Sequence, residues 1–378
     1  MNVEIIESLD QVARAEWNAL NTEWQPFLRH EFLSALEHNQ CVGPTFGWLP
    51  RHVLIRDQGL LVAAAPVYVK YNSYGELVFD FSWADAYQRA GLNYYPKLVC
   101  AIPYTPATGH RLLIADLARL PELRTALFAA LVALSQSLQV SSTHILFPTP
   151  PELSAGESFG FMPRLGCQFH WQNQGFADFS EFIATFRSEK RKKTLRERRK
   201  VLEAGIEILS VLGSEATLKQ IDLAHDFYAS IFERKSGFAT LNVGFFHEVC
   251  HAMGDQVLFI FALHHKQYIA CSIFFQSAAT LYGRFWGCRA DYDSLHFELC
   301  YYQGIDYCLA KKLKNFEPGA QGEHKIARGF LPTATWSSHW ISDARFKAAI
   351  ENFLRNENAA MQNYMHDCAQ HSPYRETQ

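Results

Sequence analysis

The segment VLFIFALHHKQYIACSIFFQSAATLYGRFWGC, residues 257–288, decides the fold class. Three apolar runs, Val257–Leu263, Tyr268–Gln276 and Thr280–Cys288, are separated by short polar or small-residue breaks. Runs of this length, rich in aromatic and β-branched residues, read as a meander of strands. Working back from it, Ile206–Val211 alternates as a strand. Helices are expected at Phe179–Ala204, capped by Gly205, at Thr217–Phe232 and at Val243–Met253. Working forward, Leu299–Ala310 reads as a helix, Asn315–Glu317 as a short strand and Phe346–Asn363 as a closing helix.

The first part of the chain runs through a similar order. A strand at Val3–Ile6 is followed by amphipathic helices through Val12–Leu20 and Glu31–His38. Strands are expected at His52–Arg56 and Leu60–Tyr68, around the turn Asp57-Gln58-Gly59. Leu123, Leu127, Leu131 and Leu134 recur at helical spacing within Leu117–Gln139, ahead of a buried strand at His144–Phe147 and a further one at Phe169–Gln174. The expectation is an α+β fold of two units, residues 1–165 and 166–378, each a mostly antiparallel sheet flanked by helices. Residues 71–111, rich in aromatics, Gly and Pro, are expected to form a long functional loop.

A chain of 378 residues suits two domains, and 48% hydrophobic with 19% charged residues excludes a disordered one. The formal net charge of −3 gives no general attraction to nucleic acid or membrane, so DNA is not an expected partner. Nine cysteines at scattered spacings include no CxxC pair, so neither a zinc site nor a redox motif is implied and no metal is expected. The start MNVEIIESLD lacks the marks of a signal peptide, and no apolar run approaches the ~18 residues of a membrane span. The cytoplasm is the expected compartment.

Four clusters carry chemistry. Residues 187–200 hold nine basic side chains against two acidic ones, with Lys190, Arg191, Lys192, Arg196 and Arg199 among them. This is either a solvated helix face or a groove for a polyanion: a nucleotide-linked substrate, a tRNA or a lipid headgroup. Residues 316–330 crowd Gln321, Glu323, His324, Lys325 and Arg328 between glycines, which supplies acid/base groups and anion binders. On a regular strand at 281–287, Tyr282, Arg284 and Trp286 would share one face, with Gly283 and Gly287 leaving room for a ligand or a crossing backbone. His296 and Glu298 follow closely, too few for a metal site. The fourth cluster interleaves Glu76, Asp80, Trp83, Asp85, Tyr95, Lys97 and Arg111, either as a polar cleft of sugar or peptide size or as an ion-pair network bracing a long loop.

Taken in order, these stretches resemble one family: Ser73-Tyr-Gly-Glu76, Tyr94-Tyr95-Pro96-Lys97, Phe169-His170-Trp171, the 190–200 basic run, Tyr282-Gly-Arg284 to Trp286, His296-Phe-Glu298, and Gly319 to Gly329. The chain is similar, from about Trp17 to Phe353, to FemAB-like proteins of peptidoglycan biosynthesis/recognition in the GNAT N-acyltransferase superfamily. The resemblance implies tandem GNAT-like domains and transfer of an aminoacyl or acyl group to an amine of a peptide acceptor, with aminoacyl-tRNA or acyl-CoA as donor and no certain cofactor. By the chemistry of their side chains, Glu323, His324 and Lys325 are the expected catalytic groups of such a transfer. Substrate contacts would come from Glu76, Asp80, Trp83, Asp85, Tyr95, Lys97, Arg111, His170, Tyr282, Arg284, Trp286, His296, Glu298, Gln321 and Arg328. A non-catalytic module that binds a peptide or muropeptide is the other class compatible with these residues. The run Arg234-Lys-Ser-Gly237-Phe-Ala239 matches an acetyl-CoA pyrophosphate pattern but falls between two expected helices, the wrong context for it.

Overall fold

The computed structural model describes residues 1–234, 237–320 and 322–375. They form two compact units, Met1–Cys167 with Ala334–Tyr364, and Gln168–Thr333 with Met365–Gln378. The sequence was divided once, between residues 165 and 166. The contacts divide it at Cys167, and a later stretch returns to the first unit.

In the first unit the strands run β1 (Asn2–Ile6), β2 (Trp48–Pro50), β3 (His52–Asp57), β4 (Leu60–Ala65), β5 (Val67–Lys70), β6 (Lys97–Cys100), β7 (Leu113–Ile114) and β8 (Ser142–Leu146). The helices α1 (Arg14–Leu20), α2 (His30–His38), α3 (Phe81–Arg89), α4 (Leu120–Ser137) and α5 (Pro150–Glu157) are interspersed. Strands β1, β3, β4 and β7 make an antiparallel sheet. Strands β2, β5 and β6 pair antiparallel, and β6 then lies parallel to β8. Leu123, Leu127 and Leu131 of α4 are buried with Val53, Ile55 and Ala63, as their spacing requires. Each such leucine contributes ~1.5–3 kcal/mol. Residues 71–111, expected as loop, contain α3 and β6. Only Trp83 and Tyr87 of α3 are buried, too thin an apolar stripe to announce a helix.

The second unit begins within β9 (Met162–Gln172), which leads into α6 (Phe179–Ala184), α7 (Ser188–Glu203), β10 (Ile206–Leu212), α8 (Leu218–Arg234) and α9 (Val243–Met253). The expected meander follows as β11 (Val257–His264), β12 (Gln267–Gln276) and β13 (Thr280–Cys288), antiparallel to one another and to β10. Then come α10 (Leu295–Phe297), α11 (Gln303–Lys311) and β14 (Asn315–Glu317). Strand β14 is parallel to β13 and antiparallel to β9. The single helix expected over 179–204 is broken between Ala184 and Ser188. There Phe186 turns inward, its ring 5.0 Å from Phe182 and 5.2 Å from Tyr374.

Strand β15 (Leu331–Ile341), antiparallel to β8, and α12 (Ala344–Gln370), as far as Tyr364, complete the first unit. Both units therefore share one strand order: antiparallel strands, one parallel pair, then an antiparallel strand. It reads β5-β6-β8-β15 in the first and β12-β13-β14-β9 in the second. This is the tandem GNAT-like arrangement expected. No helix among the described residues is long and apolar enough to cross a membrane.

Candidate active site

The parallel pair of the second unit is short. Strands β13 and β14 pair only from Thr280↔Asn315 to Tyr282↔Glu317, where β14 ends, while β13 runs on to Cys288. A cavity of about 150 Å³ opens where they part, between Gly283–Trp286 of β13 and Pro318. Ser272 and Phe274 of β12 and the side chains of His296, Cys300 and Tyr301 close its other sides.

A bulge shapes this wall. Phe274 pairs with Gly283 and Ile273 with Phe285, so Arg284 is the extra residue. An inserted residue reverses the alternation of faces beyond it. Gly283 and Trp286 accordingly share the cavity face with their partners Phe274 and Ser272. Phe285 turns to the other face, its ring 4.7 Å from Tyr228 of α8. The expected single face of Tyr282, Arg284 and Trp286 is thus corrected: the bulge separates them, and Tyr282 is buried beside β12. Gly287 serves the crossing backbone: a Cβ there would lie 1.8 Å from the Phe227 carbonyl oxygen of α8.

Residues Glu298–Tyr302, between α10 and α11, form a π-helical turn. His296 and Tyr301 are five residues apart, about 140° around a regular helix. The wider turn brings them together at the cavity, their rings 5.4 Å apart. The His296 ring also packs edge-on against Trp286 at 5.0 Å. His324 Nε2 lies 2.8 Å from the Tyr301 hydroxyl. Burial, then His324 when it is protonated and the cations Arg328 and Lys325, push His296 down to about 4. Burial, Arg328 and Lys325 lower His324 as well. Both imidazoles are neutral at pH 7 and able to accept a proton. Burial raises the Tyr301 phenol, which keeps its proton as a donor. Burial lowers Arg284 to about 10, still a cation at neutral pH.

The 3-10 turn Glu323–Arg328 places its residues unequally. His324 reaches the cavity rim through Tyr301, and Glu323 is exposed. Lys325 is buried, donates from Nζ to the Gly319 carbonyl at 2.6 Å, and is lowered by burial to about 8. Arg328 is buried in a two-pronged pair with Glu197 of α7, at 2.8 and 2.9 Å, and its guanidinium lies 3.4 Å from the Phe297 ring centre. Glu298 is buried against Arg198 at 3.0 Å and Gln303 at 2.7 Å. His170 meets Gln168 at 3.1 Å, and burial, then Lys325, lowers it to about 4. Gln321 lies outside the described residues, as do Lys235 and Ser236 of the pyrophosphate-like run. Arg328 and Glu298, expected to bind substrate, hold α7 to the turn and the π-helical segment. An unpaired buried charge is costly, and each of these has its counter-ion.

The first unit keeps its acidic cluster closed. Lys97 Nζ bonds Ser73 Oγ and Glu76 Oε2, each at 2.8 Å, and also Asp80. Tyr94 donates to Asp80, and His144 stands 3.2 Å from the Tyr94 hydroxyl and 2.5 Å from His339. Burial pushes Glu76 up to about 7, whereas Lys97 and His144 outweigh burial and hold Asp80 down to about 2. Lys97 is wholly buried, Glu76 and Asp80 nearly so. Their placement is that of a bracing network. Tyr95 bonds Ser73 at 2.8 Å. Trp83 is buried under the Arg164 guanidinium, 5.2 Å away, and Asp85 is exposed on α3.

Arg111 marks the contrast between the units. Strands β6 and β8 are the parallel pair of the first unit, and past their ends Arg111 is fully buried. Its guanidinium donates to the carbonyls of Leu146, Gly109 and Ala107 at 2.8, 2.9 and 2.5 Å. Arg111 thereby ties residues 107–111 to the end of β8.

On α7, Lys192, Arg196 and Arg199 are exposed, and Lys190 and Arg191 are half-buried. Ser272, Cys300 and Tyr301 escaped the sequence reading as site residues. Their convergence depends on the π-helical turn and on a strand register that no local pattern encodes.

The model of a family described as peptidoglycan biosynthesis/recognition, FemAB-like, matches residues 8–376. No curated protein matches the chain. Among solved structures, FemX superposes with TM-score 0.53 at 10% identity, over 93% of this chain and 100% of that one. The C-terminal domain of a putative lysylphosphatidylglycerol synthetase from Agrobacterium fabrum gives 0.54 at 8% identity, over 89% and 96%. A conserved protein of unknown function from Bacteroides thetaiotaomicron gives 0.50 at 8%, over 90% and 100%. At these identities the likeness is one of fold.

Proposed function

Because the chain belongs to the FemAB-like family, we propose that it is a cytoplasmic N-acyltransferase moving an acyl or aminoacyl group to an amine of a peptide acceptor related to peptidoglycan. The observation that carries this reading is the cavity between the parted strands β13 and β14, bordered by a neutral imidazole–phenol pair and a guanidinium.

Direct attack needs no enzyme nucleophile. The acceptor nitrogen attacks the donor carbonyl, the N–C bond forms, and the C–O bond of an ester or the C–S bond of a thioester breaks. The amine proton passes to Tyr301 as the phenol hands its own to His324 Nε2, 2.8 Å away, and the leaving oxygen or sulfur takes a proton back. Arg284 steadies the oxyanion or a donor phosphate. His296 packs against Trp286 and Tyr301 and holds both rings in place. Glu323 is exposed and serves at most at the outer rim.

The test is turnover. Peptides bearing a free amine are incubated with protein and either charged tRNA or acyl-CoA, and the acceptor mass is read. RNase sensitivity identifies a tRNA donor, and thermal stabilisation by CoA identifies a thioester. Peptide binding without a mass gain from any donor, in a protein whose cavity variants bind equally well, would leave a recognition module in place of an enzyme.

A further inference from the structure

The basic helix α7 has two different faces. Thr194, Glu197 and Val201 point inward, and Arg198 is paired with Glu298 and Asp306. The outward face carries Lys192, Leu195, Arg196, Arg199 and Leu202, at the i, i+3, i+4, i+7 and i+10 positions of one side. Its leucines are uncovered, Leu195 43% and Leu202 75% exposed. Seven residues apart, they form a stripe ~10 Å long. Arg191 flanks it on one side, Arg199 and Lys192 on the other. Lys192, Lys193 and Arg199 pair with no described residue, and Lys200 reaches exposed Asp293 at 2.5 Å.

We propose that this face docks the protein onto an anionic lipid surface. Charge complementarity alone fits any polyanion, so the leucines decide. A solvated helix gains nothing from two exposed leucines, and a phosphodiester backbone offers them no apolar contact. A bilayer interface accepts both kinds of side chain: cations at the headgroup level, apolar side chains at the acyl boundary. In a chain of net charge −3, this helix face sets several cations beside two exposed leucines. The inference does not rest on the transfer chemistry, because docking is measured without turnover.

The test uses the full chain and vesicles of phosphatidylcholine with or without phosphatidylglycerol, at ~0.1 M salt, where screening lengths are ~10 Å. Sedimentation is expected with the anionic vesicles and not the neutral ones. Neutralising Lys192, Arg196 and Arg199 to Gln is expected to weaken partitioning on the order of 100-fold. Replacing Leu195 and Leu202 with Ser, both exposed and tolerable to the fold, is expected to weaken it about tenfold. Circular dichroism of each variant checks the fold. No sedimentation of the wild-type chain with anionic vesicles would overturn the proposal. So would a leucine variant that partitions like wild type, or a gel shift with bulk tRNA that needs the same cations while vesicles compete for none of it.

Discussion

Replacing Lys97 with Met tests the closed network of the first unit. One ammonium neutralises two carboxylates: Glu76 at 2.8 Å, and Asp80, whose Oδ2 it contacts. Both acids are nearly inaccessible, at 3% and 2% exposure. Glu76 Oε1 and Asp80 Oδ1 already lack a hydrogen-bond partner among the described residues. Without the cation, two buried acids face each other uncompensated. Removing one partner of a buried pair costs ~3–5 kcal/mol. At ~2–4 °C per kcal/mol for a unit of this size, Tm should fall by roughly 6–20 °C. The penalty should depend on pH. Burial holds Glu76 up at about 7, above the ordinary 4.5 of a free glutamate. The folded chain therefore binds a proton there that the unfolded chain releases, so this group weakens the fold as pH rises from about 4.5 to about 7. In Lys97→Met the effect is larger, and the loss should shrink between about pH 8 and about pH 5. Urea denaturation at both pH values, with Glu76→Gln combined in a double-mutant cycle, measures it. A loss below about 1 kcal/mol, or one indifferent to pH, would refute the buried-network argument.

Other consequences are separable. His324→Ala should lower kcat ~10²–10⁴-fold with little loss of stability, since the ring is exposed and its one hydrogen bond is to Tyr301; an unchanged kcat removes His324 from the chemistry. In the wild type, kcat/KM should rise with pH through an apparent pKa below 6.5, because the active imidazole is neutral and its pKa is lowered; a rate that falls over that range contradicts the assignment. Arg328→Met should destabilise by ~3–5 kcal/mol by stranding Glu197, and thermal melting should show loss of fold ahead of any loss of binding. Gly287→Ala should fail to fold or melt far lower, because its Cβ would overlap the Phe227 carbonyl; a wild-type melting curve would show that α8 does not cross there.

Local pattern made the repeated α+β order legible, because amphipathic period and strand runs survive in single segments. The leucines of α4 and the meander of β11–β13 stand where their spacing puts them. What local pattern lacks is register and long-range pairing. A one-residue bulge at Arg284 moves every later side chain to the opposite face, and no composition signals it. Arg198 and Glu197 sit within a basic run yet turn inward, to Asp306 and Arg328, 108 and 131 residues away. Glu76, Asp80 and Lys97 read from sequence equally as a polar cleft or as a network bracing the loop, because polar residues in an aromatic loop fit both. Only the packing of α3 and β6 shows them closed.

The claim everything depends on is that the gap between β13 and β14 seats the reacting carbonyl. The direct measurement is acceptor mass gain with wild type and with Cys300→Phe, which fills the cavity from one of its half-buried lining residues, each shown folded by its melting curve. The account predicts one acyl or aminoacyl mass added by the wild type and loss of nearly all of it in the filled variant. Full transfer by the folded, filled variant would put the chemistry elsewhere.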